Sequence, residues 1–530
     1  MVDHEIEREI KLEAPPEPTP VPDLTGLPSV AEVRTTRCTL EAAYHDTPDL
    51  ALAAAGITLR RRTGGADEGW HLKRPAQDAR TETRLPLGPA EAPVPEELLT
   101  YVRAVVRDRP LVQVATVVNE RHVHELLDTD GSVLAEVCDD HVRGAAHVGP
   151  RAPEAGTAGE GPAMDTAAGG DGVLVWREWE VELRGGDPDL LDAASALLQA
   201  AGAAPASSAS KLQHVLGLDR EADRPQGAGE SGGLSDAGAG AVVRDHLAAQ
   251  VAELTARDPQ VRTDEPDGVH KMRVATRRLR SALTTFRPLL DRRVTDPLRS
   301  DLQDLGAVLG AARDAEVMRD RLRESVSRLD EELVMGPVVR RLGLDLDDRY
   351  HEARRRALEV LDGADYLRLL DALDQLVTHP PWTSKAQADD GDVLLKPIRR
   401  AYRELRAAVD DAADLPPGDR RDAHLHECRK AAKRARYAAE AVVPRYGRPA
   451  ERFAAAMERV QEALGEHHDS AVARETVREI GVRSHLDGET AFTWGLLHGI
   501  EEQRGREADD AFQRAWTKAS RKKLRRWLRT

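Results

Sequence analysis

Two periods of apolar and polar residues run along the 530-residue chain, and they change over near residue 220. Before that point apolar side chains recur at every second position, as in VATVVNERHVHELL (114–127) and SVLAEVCDDHV (132–142), with DTDG (128–131) between them. Alternation on both sides of an Asp-Gly turn predicts a β-hairpin. VLVWREWEVEL (173–183) predicts a further strand, and the Gly/Ala/Pro run at 144–170 predicts a long surface insertion. Residues 221–240 are rich in Gly, Ala and Ser without any hydrophobic period, the composition of a flexible linker. Beyond them Ala/Leu/Arg/Glu stretches of helical period are separated by breakers such as HPPWTSK (379–385) and DLPPGD (414–419). The pattern predicts a multidomain α+β chain: a strand-rich unit over 1–218, a linker over 219–240 and an all-α unit over 241–530.

Where charge falls on the strands narrows the first unit further. In EIEREIKL (5–12), Glu5, Glu7, Glu9 and Lys11 share one face while Ile6, Ile10 and Leu12 take the other, Arg8 alone breaking the pattern. Arg60 and Arg62 share a face in TLRRRT, Lys73 lies opposite Trp70 and Leu72 in GWHLKRP, and Arg80, Glu82 and Arg84 align in RTETR. Glu178, Glu180 and Glu182 align in WREWEVEL. A charged strand face usually points at water. Five strands that put carboxylates on the first and last, and Arg/Lys on those between, suit a barrel with a polar, ligand-filled interior instead. Hard divalent cations take carboxylate oxygens, while Arg and Lys neutralise phosphate oxygens directly.

With those residues in place, EREIK (7–11) resembles the Glu-x-Glu-x-Lys signature of the CYTH, or triphosphate tunnel metalloenzyme, superfamily. YHDTPDLALAAAGITLRRRTGG and DEGWHLKRP, within 44–75, are similar to its bacterial members, and the resemblance extends over about 1–217. It implies an antiparallel β-barrel tunnel that binds triphosphate compounds with Mg²⁺ or Mn²⁺. Carried over by position, it implies metal ligation by Glu7, Glu9, Glu180 and Glu182, with Asp140 a further acidic residue whose register against Asp139 stays open. Lys11, Arg60, Arg62, Lys73, Arg84, Arg121 and Lys211 would bind the phosphates, and of these Lys11, Lys73 and Arg121 would be catalytic. Cys138, a lone thiol on a strand, is read as structural.

The helical half carries a repeat. HKMRVATRRLR (270–280) and HECRKAAKRAR (426–436) each follow a His with cations at +3, +7, +8 and +10, at an offset of 156. LGAARD (309–314) and LGEHHD (464–469) repeat Leu-Gly and Asp at an offset of 155, which predicts a duplicated helical unit, about 241–375 and 390–530. Positions 0, +3, +7 and +10 fall within ~80° of a helix face at ~100° per residue. They therefore align His270, Arg273, Arg277 and Arg280, and likewise His426, Arg429, Lys433 and Arg436. Like charges at such spacing repel, so two matched stripes point to an anionic ligand. These segments are similar to the CHAD domain, which implies a pseudo-twofold helical bundle that binds inorganic polyphosphate through both stripes.

Composition closes off other classes. Seven Trp, seven Tyr and four Phe leave the cores to Leu, Val and Ala, and no stretch approaches the ~20 apolar residues of a spanning helix. The acidity is N-terminal: residues 1–220 hold 21 Lys+Arg against 37 Asp+Glu, and the remainder 55 of each. A balanced second half with few aromatics for stacking argues against nucleic acid. MVDHEIEREIK has no apolar signal core, and three dispersed cysteines fit reduced thiols in a cytoplasm, where polyphosphate granules would be a further location. The sequence therefore predicts a metal-dependent triphosphatase acting on inorganic triphosphate, tethered to a polyphosphate-binding domain. A non-catalytic granule protein, an adenylate cyclase and a thiamine triphosphatase remain as alternatives.

Overall fold

The computed structural model describes residues 3–75, 80–89, 92–148, 172–208, 210–218, 238–387, 391–416 and 418–529, with backbone alone at 3–7, 387, 391 and 419. Two compact units divide it, Met1–Ala228 and Gly229–Thr530.

The first unit is one antiparallel sheet of ten strands: β1 Asp3–Glu7, β2 Glu9–Glu13, β3 Glu32–Asp46, β4 Thr58–Thr63, β5 Gly69–Pro75, β6 Arg80–Leu85, β7 Val112–Leu127, β8 Val133–Ala146, β9 Val173–Leu183 and β10 Ala204–Pro205. Helices α1 Ala51–Ala54, α2 Glu96–Val106, α3 Pro188–Ala200 and α4 Lys211–Leu216 interrupt them. The hairpin expected around DTDG forms between β7 and β8, where the Asp128 carboxylate accepts from the backbone N–H of Asp130 and Ser132 at 2.9 Å each. Gly131 supplies the positive φ of 79° that this turn requires.

Strand order is β1-β6-β5-β4-β3-β7-β8-β9-β2-β10, so the expected closed barrel is corrected to an open sheet. The physical reason lies at Arg8. The segment that forms β1 pairs with β6, then beyond Arg8 leaves that neighbour and pairs as β2 with β9. One extended segment therefore supplies strands near both edges, and no ladder joins β1 to β2. The Arg8 carbonyl still accepts from Leu183 N–H at 3.0 Å. The insertion expected at 144–170 is strand as far as Ala146, and its residues 149–170 lie outside the described residues, as do residues 219–237 of the linker.

What decides the sheet's polarity is where its apolar face goes. Leu12, Trp179 and Val181 pack under Leu190, Ala194 and Leu198 of α3, while Leu59, Trp70 and Leu72 pack under Leu98, Tyr101 and Val102 of α2. With the apolar face so covered, the alternate residues, which carry the charge, line the opposite face. Tyr44, Val117 and Val142 lie on this charged face too, where they pack with Leu212, Val215 and Leu216 of α4.

The second unit is helical: α5 Ala239–Arg262, α6 Gly268–Thr285, α7 Arg292–Ser327, α8 Val338–Leu342, α9 Asp348–Asp362, α10 Ala364–Thr378, α11 Gly391–Ala413, α12 Asp419–Glu440, α13 Val443–Tyr446, α14 Arg448–Leu486 and α15 Phe492–Ala519, followed by a 3-10 segment Lys522–Arg529. Sequential neighbours pack, α5 on α6, α6 on α7, α11 on α12 and α14 on α15. Helices α6 and α12, which carry the repeated motifs, also touch each other. Among the described residues no helix is long and apolar enough to cross a membrane.

Candidate functional site

Register alone brings the charged positions of the first unit together. Lys11 lies opposite Glu180 and Glu9 opposite Glu182 across β2 and β9, Asp140 lies opposite Glu178 across β8 and β9, and Arg121 lies opposite Asp140 across β7 and β8. On the other side Tyr44 faces Arg60 and Lys73 faces Glu82. Their side chains line a single cavity with nine cations (Lys11, Arg60, Arg62, Lys73, Arg80, Arg84, Arg121, Arg184, Lys211) and five carboxylates (Glu9, Asp67, Glu82, Glu180, Glu182). Of the anticipated residues Glu7 is placed by backbone only, in register with Arg80, and its side chain lies outside the described residues.

The centre of the site is Glu180, almost fully buried. It accepts from Lys11 Nζ at 2.6 Å, Lys211 Nζ at 2.9 Å and Arg121 Nη2 at 2.5 Å. Arg121 also grips Asp140 with two bonds of 2.7 and 2.6 Å, a fork-on-carboxylate geometry that fixes both groups. Lys211 reaches this cluster from the first turn of α4, which Ser210 caps by accepting from Gln213 N–H at 3.2 Å. Burial opposes charge on Glu180, yet Lys11, Lys211 and Arg121 hold it well below the usual carboxylate range. The same attraction, from Glu180 and then Glu9, outweighs burial at Lys11 and keeps its ammonium above the lysine range. These groups are charged at any working pH.

The Asp139/Asp140 register is resolved by strand alternation. Asp140 is fully buried on the cavity side with Arg121 and Lys211, at 2.9 Å from the latter. Asp139 points to the other face, where Arg177 holds it at 2.8 and 2.7 Å and Trp179 Nε1 donates at 3.1 Å. On that outer face Asp139 also groups with His122 and His141. Cys138 is buried beside Asp140, and burial pushes its thiol up, which fits a structural residue.

The cationic wall is built differently. Arg60 meets the Tyr44 hydroxyl at 3.4 Å, and Arg62 pairs with Asp67. Burial, with Arg60 and Arg121 nearby, lowers Arg62 to about 9. Nε of Arg60, Nε of Arg62 and Oδ1 of Asn119 are buried without hydrogen-bond partners, the condition of groups that an incoming ligand can satisfy. Glu82 is the exception to the segregation read in the sequence, a buried carboxylate among cations. It accepts from Arg84 Nε at 2.6 Å and meets His71 Nδ1 at 2.9 Å, with Lys73 at 3.9 Å.

Glu82, Glu178, Tyr44 and Arg80 were not assigned from sequence. Period two already put Glu82 and Arg80 on the face of Arg84, and Glu178 on the face of Glu180, so alternation was the available signal. Tyr44 shares its strand face with Ala42, which offers no charge to follow.

Asp140, Glu178 and Glu180 offer carboxylate oxygens within 4.8 Å of one another, all buried. This is the hard-oxygen donor set that Mg²⁺ or Mn²⁺ takes, so the residues present fit a divalent cation.

In the helical unit, α6 and α12 join through Tyr437 and Glu440. Arg277 Nε donates to the Tyr437 hydroxyl at 2.8 Å, and Arg278 donates to Glu440 at 3.1 Å. Each repeated motif also lays its first arginine beside a glycine of a long helix. Arg273 runs beside Gly310 and pairs with Asp314 at 3.1 Å, while Arg429 runs beside Gly465 and approaches Asp469 at 3.9 Å. Lys433 sits among them; burial, then Arg277, Arg429 and Arg273, lowers it to about 7. His426 packs against His468 with the rings tilted at 42° and their centroids 4.7 Å apart. Of the other anticipated members, His270 and Arg280 are exposed, His270 within electrostatic reach of Arg277 and Arg273, and Arg436 turns to Glu440 and Glu458 at 2.6 Å each.

Comparisons with known proteins agree with this division. A CYTH domain model matches residues 5–216 and a CHAD domain model residues 245–478. Uncharacterised proteins from two strains of Mycobacterium tuberculosis are 38% identical over 527 residues, covering 96% of this chain and 95% of their own length. Among solved structures, PptA from Streptomyces chartreusis (TM-score 0.46, 23% identity) covers 53% of this chain and 99% of its own. The CHAD domain from the plant Ricinus communis (TM-score 0.40, 23% identity) covers 56% and 94%.

Proposed function

Because the chain belongs to the CYTH domain family, with a CHAD domain following the CYTH domain, we propose that it hydrolyses inorganic triphosphate to pyrophosphate and phosphate and that its helical unit binds inorganic polyphosphate. CYTH domains form a tunnel metalloenzyme superfamily that depends on divalent metal. The observation that carries the catalytic reading is the cavity itself, where nine cations and five carboxylates meet and Glu180 is shared by Lys11, Lys211 and Arg121. An excess of cations over carboxylates in the cavity lining matches a highly charged anion, and the carboxylates match the cation that accompanies it.

In the mechanism Arg60, Arg62, Lys73 and Arg84 hold the phosphate oxygens, with the unpartnered Nε groups of Arg60 and Arg62 available to them. Lys11 and Arg121 stay protonated and stabilise charge that develops on the transferred phosphoryl group; they orient rather than exchange protons. Glu9, Asp140, Glu178, Glu180 and Glu182 would hold Mg²⁺ or Mn²⁺. A bound divalent ion supplies electrostatic stabilisation of phosphate charge and lowers the pKa of its water. No covalent nucleophile enters this scheme.

For the helical unit, Arg273, Arg277, Arg429 and Lys433 form the polyphosphate site, and the matched Arg-Gly-Asp contacts of α6 with α7 and α12 with α14 support a duplicated helical unit. A phosphate-release assay on triphosphate, thiamine triphosphate, ATP and long-chain polyphosphate, with Mg²⁺ and with Mn²⁺, tests the enzyme. Fastest metal-dependent release from triphosphate is expected. Release from none of them, or pyrophosphate and cyclic nucleotide from ATP alone, would overturn it.

A further inference from the structure

A third set of cations in the helical unit belongs to neither α6 nor α12. On α11, Lys396, Arg399, Arg403 and Arg406 stand at 0, +3, +7 and +10, the spacing that aligns the basic residues of the two motif helices. At ~100° per residue they occupy ~80° of the helix surface, a stripe on the order of 15 Å long. The 3-10 segment at 522–529 lies against this helix and adds Lys522, Arg525 and Arg529, so that one cavity is lined by seven cations and a single carboxylate, Asp392. The segment is fastened in place: Arg399 Nη1 donates to the Leu528 carbonyl at 2.7 Å, Leu528 is buried, and Trp527 packs on Tyr446 and Phe453.

A second observation points to a ligand. Tyr402 is only 3% exposed and lines the same cavity, and its hydroxyl has no hydrogen-bond partner. Nε of Arg525, whose guanidinium lies 4.3 Å over the Tyr402 ring, is also without one. A buried polar group without a hydrogen bond is costly to the fold, and an oxygen-bearing ligand would recover that cost.

We propose that α11 and the 3-10 segment form a separate anion site that takes a linear chain of phosphate groups, with the Tyr402 hydroxyl donating to one of them. Arg399 already pairs with Asp392 and Arg406 approaches Asp410 at 3.6 Å, which leaves Lys396, Arg403, Lys522, Arg525 and Arg529; a single small anion would leave most of these five uncompensated, whereas a chain of phosphates runs along a stripe of this length. Single-stranded nucleic acid is held by open aromatic faces on which its bases stack. Here the Tyr402 ring is covered by Arg525 and stacked by Trp516, and Trp527 is taken by Tyr446 and Phe453. The site rests neither on the catalytic reading of the first unit nor on the α6/α12 cluster, none of whose residues it uses.

The test titrates a short linear polyphosphate into the full chain by calorimetry, with a chelator present so that no divalent ion serves the first unit. Arg403→Gln with Lys522→Gln removes two exposed cations that fasten nothing, and should eliminate one class of sites while the others keep their affinity. Arg273→Gln with Lys433→Gln should leave that class intact. Tyr402→Phe should weaken it by about tenfold, the scale of one hydrogen bond to a charged group, with no fall in the thermal midpoint, because that hydroxyl holds nothing in the fold. The proposal fails if Arg403→Gln with Lys522→Gln leaves the isotherm unchanged. It also fails if Tyr402→Phe lowers the midpoint without touching affinity, or if duplex DNA of equal charge displaces the phosphate chain from this class as well as free phosphate chain does.

Discussion

Both units cluster cations, but the cluster around Glu180 buries its carboxylates with it, whereas the cluster around Lys433 leaves Asp314 and Asp469 more exposed. Around Glu180 every buried ammonium and guanidinium finds a carboxylate, and the attraction outweighs desolvation, so Lys11 and Lys211 are raised and Glu180 and Asp140 lowered. Around Lys433, burial and then Arg277, Arg429 and Arg273 act in the same direction and outweigh the attraction of Asp469, taking the lysine down to about 7. On the proposed function, the first arrangement is a closed set of charges that a metal ion and a polyanion would rearrange, and the second is an open set that an anion would complete.

The largest effects are expected where the closed set is broken. Glu180→Gln leaves Lys11, Lys211 and Arg121 short of a shared partner, and stability should fall by about 3–5 kcal/mol in urea unfolding, together with loss of metal-dependent turnover. Glu182→Gln, at the cavity wall with Arg184 at 2.9 Å, should abolish turnover with a stability change under ~1 kcal/mol. Equal activity in wild type and Glu182→Gln would remove that residue from the metal site. Arg60→Ala comes next: steady-state kinetics should show KM raised and kcat nearly kept, since this wall grips substrate and transition state alike.

The open set is tested by protons. A lysine whose folded pKa is near 7, far below its ordinary value, destabilises the fold while protonated, and that penalty fades as pH rises through about 7 towards the unfolded value. Lys433→Met should therefore raise the thermal midpoint more at about pH 6 than at about pH 9. Polyphosphate binding at about pH 8 should draw a proton onto Lys433, seen as buffer-dependent heats in calorimetry, and the lysine's contribution to that uptake should vanish near pH 6. The smallest change is at the glycines. A Cβ at Gly465 would stand 3.3 Å from Arg429 Nη2, against 3.5 Å at Gly310 from Arg273. Gly310→Ala should gain ~0.5–1 kcal/mol of helix stability with affinity kept, whereas Gly465→Ala should displace Arg429 and weaken polyphosphate binding. Identical affinities in the two variants would mean that the two arginines are not held by the glycines.

Much of this contrast was legible before any coordinates. Period two put Lys11, Arg60, Arg62, Lys73, Glu180 and Glu182 on single faces, and register then had only one way to gather them. What was not legible had local causes. Adjacent Asp139 and Asp140 belong to opposite faces, and only pairing with β7 and β9 says which. The helices α2 and α3, which cover the sheet's apolar face, lie in segments whose helical period went unread beside the strands. Arg280 and Arg436 occupy equivalent positions, yet one is exposed and the other bound by Glu440 and Glu458, because a helical wheel gives direction without neighbours. The open sheet followed from Arg8, the one residue that broke the alternation.

That residue also sets an order of events during synthesis. The segment 3–13 leaves the ribosome before either of its neighbours, β6 ending at Leu85 and β9 ending at Leu183. Its first half can pair once β6 has emerged, but its second half, with Glu9 and Lys11, has to wait for nearly the whole unit to be translated. Long-range pairing of this kind is slow and leaves an unpaired strand edge exposed meanwhile. The signature residues at the start of the chain are thus among the last to reach their places, and a ribosome-stalled chain that stops short of β9 would carry them unassembled and open to chaperones and proteases.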